Sequence, residues 1–224
     1  YEAFGYTGSE DPRGGDIARE HFDLFLRAID GEGLAERDPL SPFGGGTGLQ
    51  RIEPHSPGLR TRIWWGAGTT ATAEWAGRLG VNLMSSTLLT EADGTPFDLL
   101  QAQQLDAFRA AWREAGHEGE PRTSVSRSIF PIVTAEDEMY FGGSAGSDQI
   151  GVIDGMRSTF GKTYAATPDK LVEQLQNDAA VMSADTLMLT IPSQMGVEFN
   201  LRLVENFAKH VAPALGWQST LATV

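Results

Sequence analysis

The chain has 224 residues, 41% of them hydrophobic and 21% charged, enough for one full domain or two small ones and well apart from disordered compositions. Thirty acidic residues against 17 basic ones give a net charge of −13, which argues against binding a phosphate backbone, and the lack of cysteine removes disulfides, thiolate catalysis and Cys-ligated zinc. No apolar run approaches the roughly eighteen residues of a membrane span, and His21, His55, His117 and His210 lack metal-ligand spacing, so the expected setting is cytoplasmic, with no membrane, nucleic acid or metal involved.

Tyr1 is not an initiator methionine and no signal-peptide pattern follows it, so an upstream segment is expected beyond the sequence. Gly14 to Gly31 reads as a helix through Ile17, Phe22, Phe25, Leu26 and Ile29, with Gly31 and Gly33 as its stop. Asp38 to Gly58, with four prolines and the run Gly44-Gly45-Gly46-Thr47-Gly48, reads as a long surface excursion and not as an inter-domain linker. Arg62 to Trp65 is a short apolar run ending in Gly66-Ala67-Gly68, and Thr70 to Leu79 is a compact helix closed by Gly80. Val81 to Ser85 is the next strand candidate. Phe97 to Ala115 is a helix with Leu100, Leu105, Phe108 and Trp112 on one side, and Thr123 to Val133 a β-branched strand. A polar insertion from Ala135 to Pro168 follows. Pro168, after Thr167 as N-cap, opens a helix through Asp169 to Met182. Asp185 to Ile191 is the last strand and Val197 to Ala212 the last helix. Strand–helix alternation with short turns means parallel pairing and an α/β architecture.

The turn from Trp64 to Trp75 carries the clearest chemical signal. A strand delivers the chain to Gly66 and Gly68, a helix starts within three residues, and Thr69, Thr70 and Thr72 add hydroxyls beside its exposed N–H groups. Such a helix start suits a phosphate, and equally it is a tight turn capped by threonine. Gly66-x-Gly68-x-x-Ala71 also matches a relaxed dinucleotide fingerprint, but the second strand ends in Ser85-Ser86-Thr87 without the expected acid, and Glu91 lies beyond it. Gly161-Lys162-Thr163 looks like a Walker tail, yet Met156 stands where the leading glycine belongs. Arg127 interrupts an apolar strand, and an unpaired buried guanidinium is costly; it either serves an active site or pairs with an acid such as Asp185. Trp64, Trp65 and Trp112 read as core residues.

The phrase Thr72-Ala73-Glu74-Trp75-Ala76-Gly77-Arg78-Leu79-Gly80-Val81-Asn82-Leu83-Met84 resembles a strand–helix–strand segment of the bacterial luciferase-like flavin monooxygenases. Arg127-Ser128-Ile129-Phe130 with Thr134 to Glu138, Gly161 to Pro168, Ala184 to Leu189 and Val211 to Trp217 resemble later segments of that family in the same order. The resemblance implies the C-terminal half of a TIM-type (β/α)8 barrel, with residues 1–224 forming a single partial domain from the fourth helix through strands five to eight. Residues 135–167 would be an insertion, or mobile lid, after the seventh strand. It implies a monooxygenase that takes reduced FMN, or a deazaflavin, from a partner reductase and uses oxygen on a small organic substrate. Gly68, Thr69 and Thr72 would meet the flavin phosphate, Ser86 and Thr87 would lie on the rim beside the ring, and Arg127 would point to the active site. Strand-end capping is the plain alternative for Ser86 and Thr87. A non-catalytic barrel subunit and a nicotinamide- or deazaflavin-dependent dehydrogenase remain as alternative functions. Half a barrel leaves open edges, so the chain is expected to need its upstream half, a partner or a second copy.

Overall fold

The computed structural model describes residues 15–36, 48–153 and 155–218; Gly14 and most of the glycine run at 44–48 lie outside them. The chain divides into two compact units, Tyr1–Ile63 and Trp64–Val224, where the sequence suggested one partial domain without a linker. In the first unit, α1 (Gly15–Ile29) buries Ile17, Leu26 and Ile29, and a 3-10 turn at Leu59–Arg62 is tied to it by an ion pair between Arg60 and Asp30.

The second unit is built on four parallel strands in the order β1 (Trp64–Ala67), β2 (Asn82–Ser85), β4 (Thr123–Arg127) and β9 (Thr186–Leu189). Between β1 and β2 runs α2 (Thr70–Leu79). Thr69 Oγ1 caps it by accepting from Thr72 N, and Gly80, at φ 73°, ends it in a left-handed turn that a side chain would strain. A two-residue strand, β3 (Leu88–Leu89), and the helix α3 (Phe97–Glu114) follow β2. Alternate strand residues point to opposite faces. Trp65 packs edge-on against Trp75 of α2 at 4.8 Å, so Trp65 and Ala67 face the helices, as do Leu83, Ser85, Val125 and Arg127. On the other face Asn82 and Ser124 are buried, while Trp64, Gly66, Met84, Ser126 and Met188 are exposed or half-buried. An all-parallel sheet is ordinarily covered on both faces. Among the described residues the unit's own helices cover one, and the other is open towards the strand carboxyl ends, at Gly66, Met84, Ser126 and Met188.

The helices α2 and α3 meet at Gly77. A Cβ there would stand 2.6 Å from the carbonyl oxygen of Phe108 and 3.1 Å from the Ala111 Cβ, so the two backbones touch only because residue 77 has no side chain. Gly77→Ala is expected to lower stability by about 1–3 kcal/mol, although alanine is the better helix former by about 1 kcal/mol. A urea midpoint at or above the parent's would contradict this packing.

Two expected elements are broken. The strand read from Thr123 to Val133 splits at Ser128 into β4 and β5 (Ile129–Pro131), because Arg127 is drawn to the helices while β5 leaves to pair with β8 (Tyr164–Ala166). The helix read from Asp169 to Met182 stops at Gln176 as α5 (Pro168–Gln176) and restarts as α6 (Ala179–Ser183), with Asp178 as N-cap of the second piece. The stretch read as a polar insertion holds regular structure. It contains α4 (Ala135–Phe141), started by a Thr134/Asp137 capping box, and the antiparallel hairpin β6 (Gln149–Ile153) and β7 (Met156–Phe160). The hairpin is joined to β3 through Leu88–Phe160 and Leu89–Thr159 pairs. Phe130 and Phe141 stack at 4.2 Å and meet Leu203 of α7 (Val197–His210), which closes this side of the unit. No helix among the described residues is long and apolar enough to cross a membrane.

Candidate active site at the strand carboxyl ends

The residues named from sequence lie where β1, β2 and β4 end, and one chain of buried polar groups links the ends of β2 and β4. The Arg127 guanidinium forms a bidentate ion pair with Asp178, Nε to Oδ2 at 2.8 Å and Nη2 to Oδ1 at 2.9 Å. Its Nη1 donates to Gln101 Oε1 at 2.6 Å and to the Ser126 carbonyl at 2.9 Å, and the group lies over the Phe97 ring. Gln101 Nε2 then donates to Ser85 Oγ at 2.9 Å and to the Ser86 carbonyl at 2.7 Å, while Ser85 Oγ donates to Gln104 Oε1. Tyr164 completes the cluster, its hydroxyl donating to Asp178 Oδ2 at 2.6 Å.

Arg127 is 3% exposed, Asp178 2%, and Gln101 and Gln104 are fully buried. The guanidinium is therefore satisfied on every nitrogen and faces the helices. Its partner is Asp178; Asp185, the acid suggested by the sequence, instead accepts from Thr123 N and Oγ1 at 2.8 Å. Burial opposes the charge on Asp178, but the Arg127 hydrogen bonds and charge, with Tyr164 and the Val181 N–H, more than offset it and hold the carboxyl below its ordinary range. Burial, aided by the hydrogen bond to the Asp178 carboxylate, pushes the Tyr164 phenol above its ordinary value.

The remaining candidates are engaged with the chain itself. Thr69 Oγ1 donates to Thr72 Oγ1 at 2.9 Å and accepts from Thr72 N at 3.1 Å. Gly68 O accepts from Thr90 N, Ser86 N donates to Ala67 O, and Thr87 O accepts from Gly161 N. Thr70 N and Thr70 Oγ1 both donate to the Glu91 carboxylate, at 2.9 and 3.0 Å. A phosphate at this helix start needs the Thr70 donors, which already meet a carboxylate, and the Thr69 hydroxyl and Thr72 N–H, which are bonded within the loop, so as folded it does not fit a flavin phosphate. Among the described residues no group of three His, Asp or Glu could hold a metal ion.

Sequence reasoning missed Gln101, Gln104, Tyr164 and Asp178. The two glutamines, spaced i,i+3 on the apolar side of α3, carried a visible signal, since buried amides there demand polar partners. Nothing local marked Asp178, because its partner is 51 residues away.

Monooxygenase RslO1 from Streptomyces bottropensis has a similar fold, with a TM-score of 0.58 and 19% identity over 95% of this chain and 64% of that one. The structure of apo-MsnO8 is similar at a TM-score of 0.50 and 18% identity, over 91% of this chain and 62% of that one. The chain thus spans less than two thirds of the length of either. The likeness is one of fold. No protein-family model and no curated protein matches the chain.

Proposed function

We propose that the chain is the C-terminal half of a luciferase-like (β/α)8 barrel that serves a flavin-dependent monooxygenase, acting with reduced FMN or a deazaflavin, a partner reductase and oxygen on a small organic substrate in the cytoplasm. The observation that carries this reading is the fold shared with monooxygenase RslO1 over 95% of the chain. Two features support the half-barrel. The four parallel strands follow one another in sheet order, and the face away from the helices is left half-open at Trp64, Met84 and Met188. In this reading the upstream half, or a second copy, covers that face, and the site is shared across the joint.

In such a site this chain's residues act as wall and frame. Gln101 fixes the Ser86 carbonyl and Arg127 together, so that the ends of β2 and β4 keep their spacing at the rim. With Glu91 on the α2 loop, the grip on a flavin phosphate falls outside that loop. The same observation favours a second reading, a supporting chain that holds no flavin of its own.

Titration of the protein with FMN, riboflavin and NADH, followed by quenching of tryptophan fluorescence, separates the readings. The monooxygenase reading predicts saturable quenching by both flavins with affinities within a few-fold of each other, and none by NADH. Saturable NADH binding without flavin binding would favour the dinucleotide alternative, and no binding of any of them by a sample that includes the upstream half would favour the supporting chain.

A further inference from the structure

We infer that Glu91 is the resident anion of the α2 N-terminus, so that this loop is closed to external phosphate by the chain's own carboxylate. The inference rests on the geometry of α2 and holds whether or not the barrel serves a flavin enzyme. A helix start offers N–H groups and partial positive charge that attract an anion. At α2 that place is taken: the Thr70 N–H and hydroxyl bind the two oxygens of Glu91 separately, and the Thr72 N–H is satisfied by Thr69 Oγ1.

Glu91 is held by its backbone as well as by its side chain. Thr90 N donates to the Gly68 carbonyl at 2.9 Å, directly beside the loop, and Thr159 Oγ1 of β7 donates to the Glu91 carbonyl at 2.9 Å. The segment from Leu88 to Glu91 therefore joins the β6–β7 hairpin to the start of α2. A second long helix is closed in the same way. The Phe97 N–H at the start of α3 donates to Asp148 Oδ2 at 2.9 Å, while Asp148 Oδ1 accepts from Lys162 N at 3.0 Å. Both acids come from distant segments, 21 and 51 residues from the amides they meet. With a net charge of −13, the chain spends carboxylates where an anion-binding fold would leave amides free.

The test uses inorganic phosphate, so that it is independent of any flavin. Thermal unfolding of the full chain, of Glu91→Ala and of Glu91→Gln is followed in phosphate and in chloride at matched ionic strength. The parent is expected to show no saturable rise in midpoint with phosphate. Glu91→Ala is expected to gain one, with phosphate bound about tenfold or more tightly than by the parent. Should Glu91→Ala fail to fold, Glu91→Gln, which keeps the side-chain shape and loses the charge, is read in its place. A saturable rise in the parent, or none in the folded variant, overturns the inference.

Discussion

Arg127→Ala is expected to lower the stability of the second unit by about 3–5 kcal/mol, because it strands the Asp178 carboxylate, 2% exposed, without its counter-charge. The loss extends beyond one pair. Gln101 Oε1 and the Ser126 carbonyl lose their donor as well, and the tie between the ends of β2 and β4 goes with them. Arg127→Lys is expected to recover only part of the loss. An ammonium cannot reproduce the two parallel bonds to Asp178 while also reaching Gln101. Urea unfolding of both variants checks this, and a midpoint within error of the parent for Arg127→Ala would show that the cluster does not hold the rim.

The same cluster sets the pH range of stability. The carboxyl of Asp178 is held below its ordinary value of 3.8, so its contribution is present above that pH and is lost as the pH falls through the lower folded value. The Tyr164 phenol is shifted the other way, above its ordinary 10.0; its contribution is present below pH 10 and is lost as the pH rises further. Between those limits these two groups leave stability flat.

Local chemistry made much of the second unit legible in the sequence. The bounds of α2 follow from Thr69 as cap and Gly80 as stop, and the structure places the helix at Thr70–Leu79 as read. Phe97 to Ala115 likewise announced α3 through its apolar stripe, and α3 ends one residue earlier. Legibility failed where a long-range partner outweighed local preference. Nothing around Ser128 marks a break, but Arg127 must reach Asp178, and the strand divides there. The helix through Asp169 to Met182 is interrupted for the matching reason. Asp178 leaves helical geometry to cap α6 and to meet Arg127 and Tyr164 at once. At the site, the oddity of a strand arginine was visible while its partner was not. Glu91 was visible as an acid in the wrong place for a dinucleotide motif, and only the fold brings it back onto Thr70.

The second large effect concerns the β9 edge of the sheet. Among the described residues strand β9 pairs on one side only, with β4, and beside it Leu187, Leu189, Val204, Phe207, Leu215 and Trp217 line a groove of about 660 Å³. A parallel edge with an apolar groove beside it invites another strand and helix. In that groove Trp217 is 54% exposed and Val204 40%, which is costly for a chain that stays alone in water. The half-barrel account therefore requires this edge to be covered, by the upstream half where that is present and by a second copy where it is not.

Sedimentation velocity of the purified 224-residue chain over a range of concentrations, with thermal unfolding on the same samples, tests this most directly. The half-barrel account predicts species larger than one chain, with an unfolding midpoint that rises with concentration. A compact 24.2 kDa monomer at every concentration, unfolding in one sharp concentration-independent step, would contradict it.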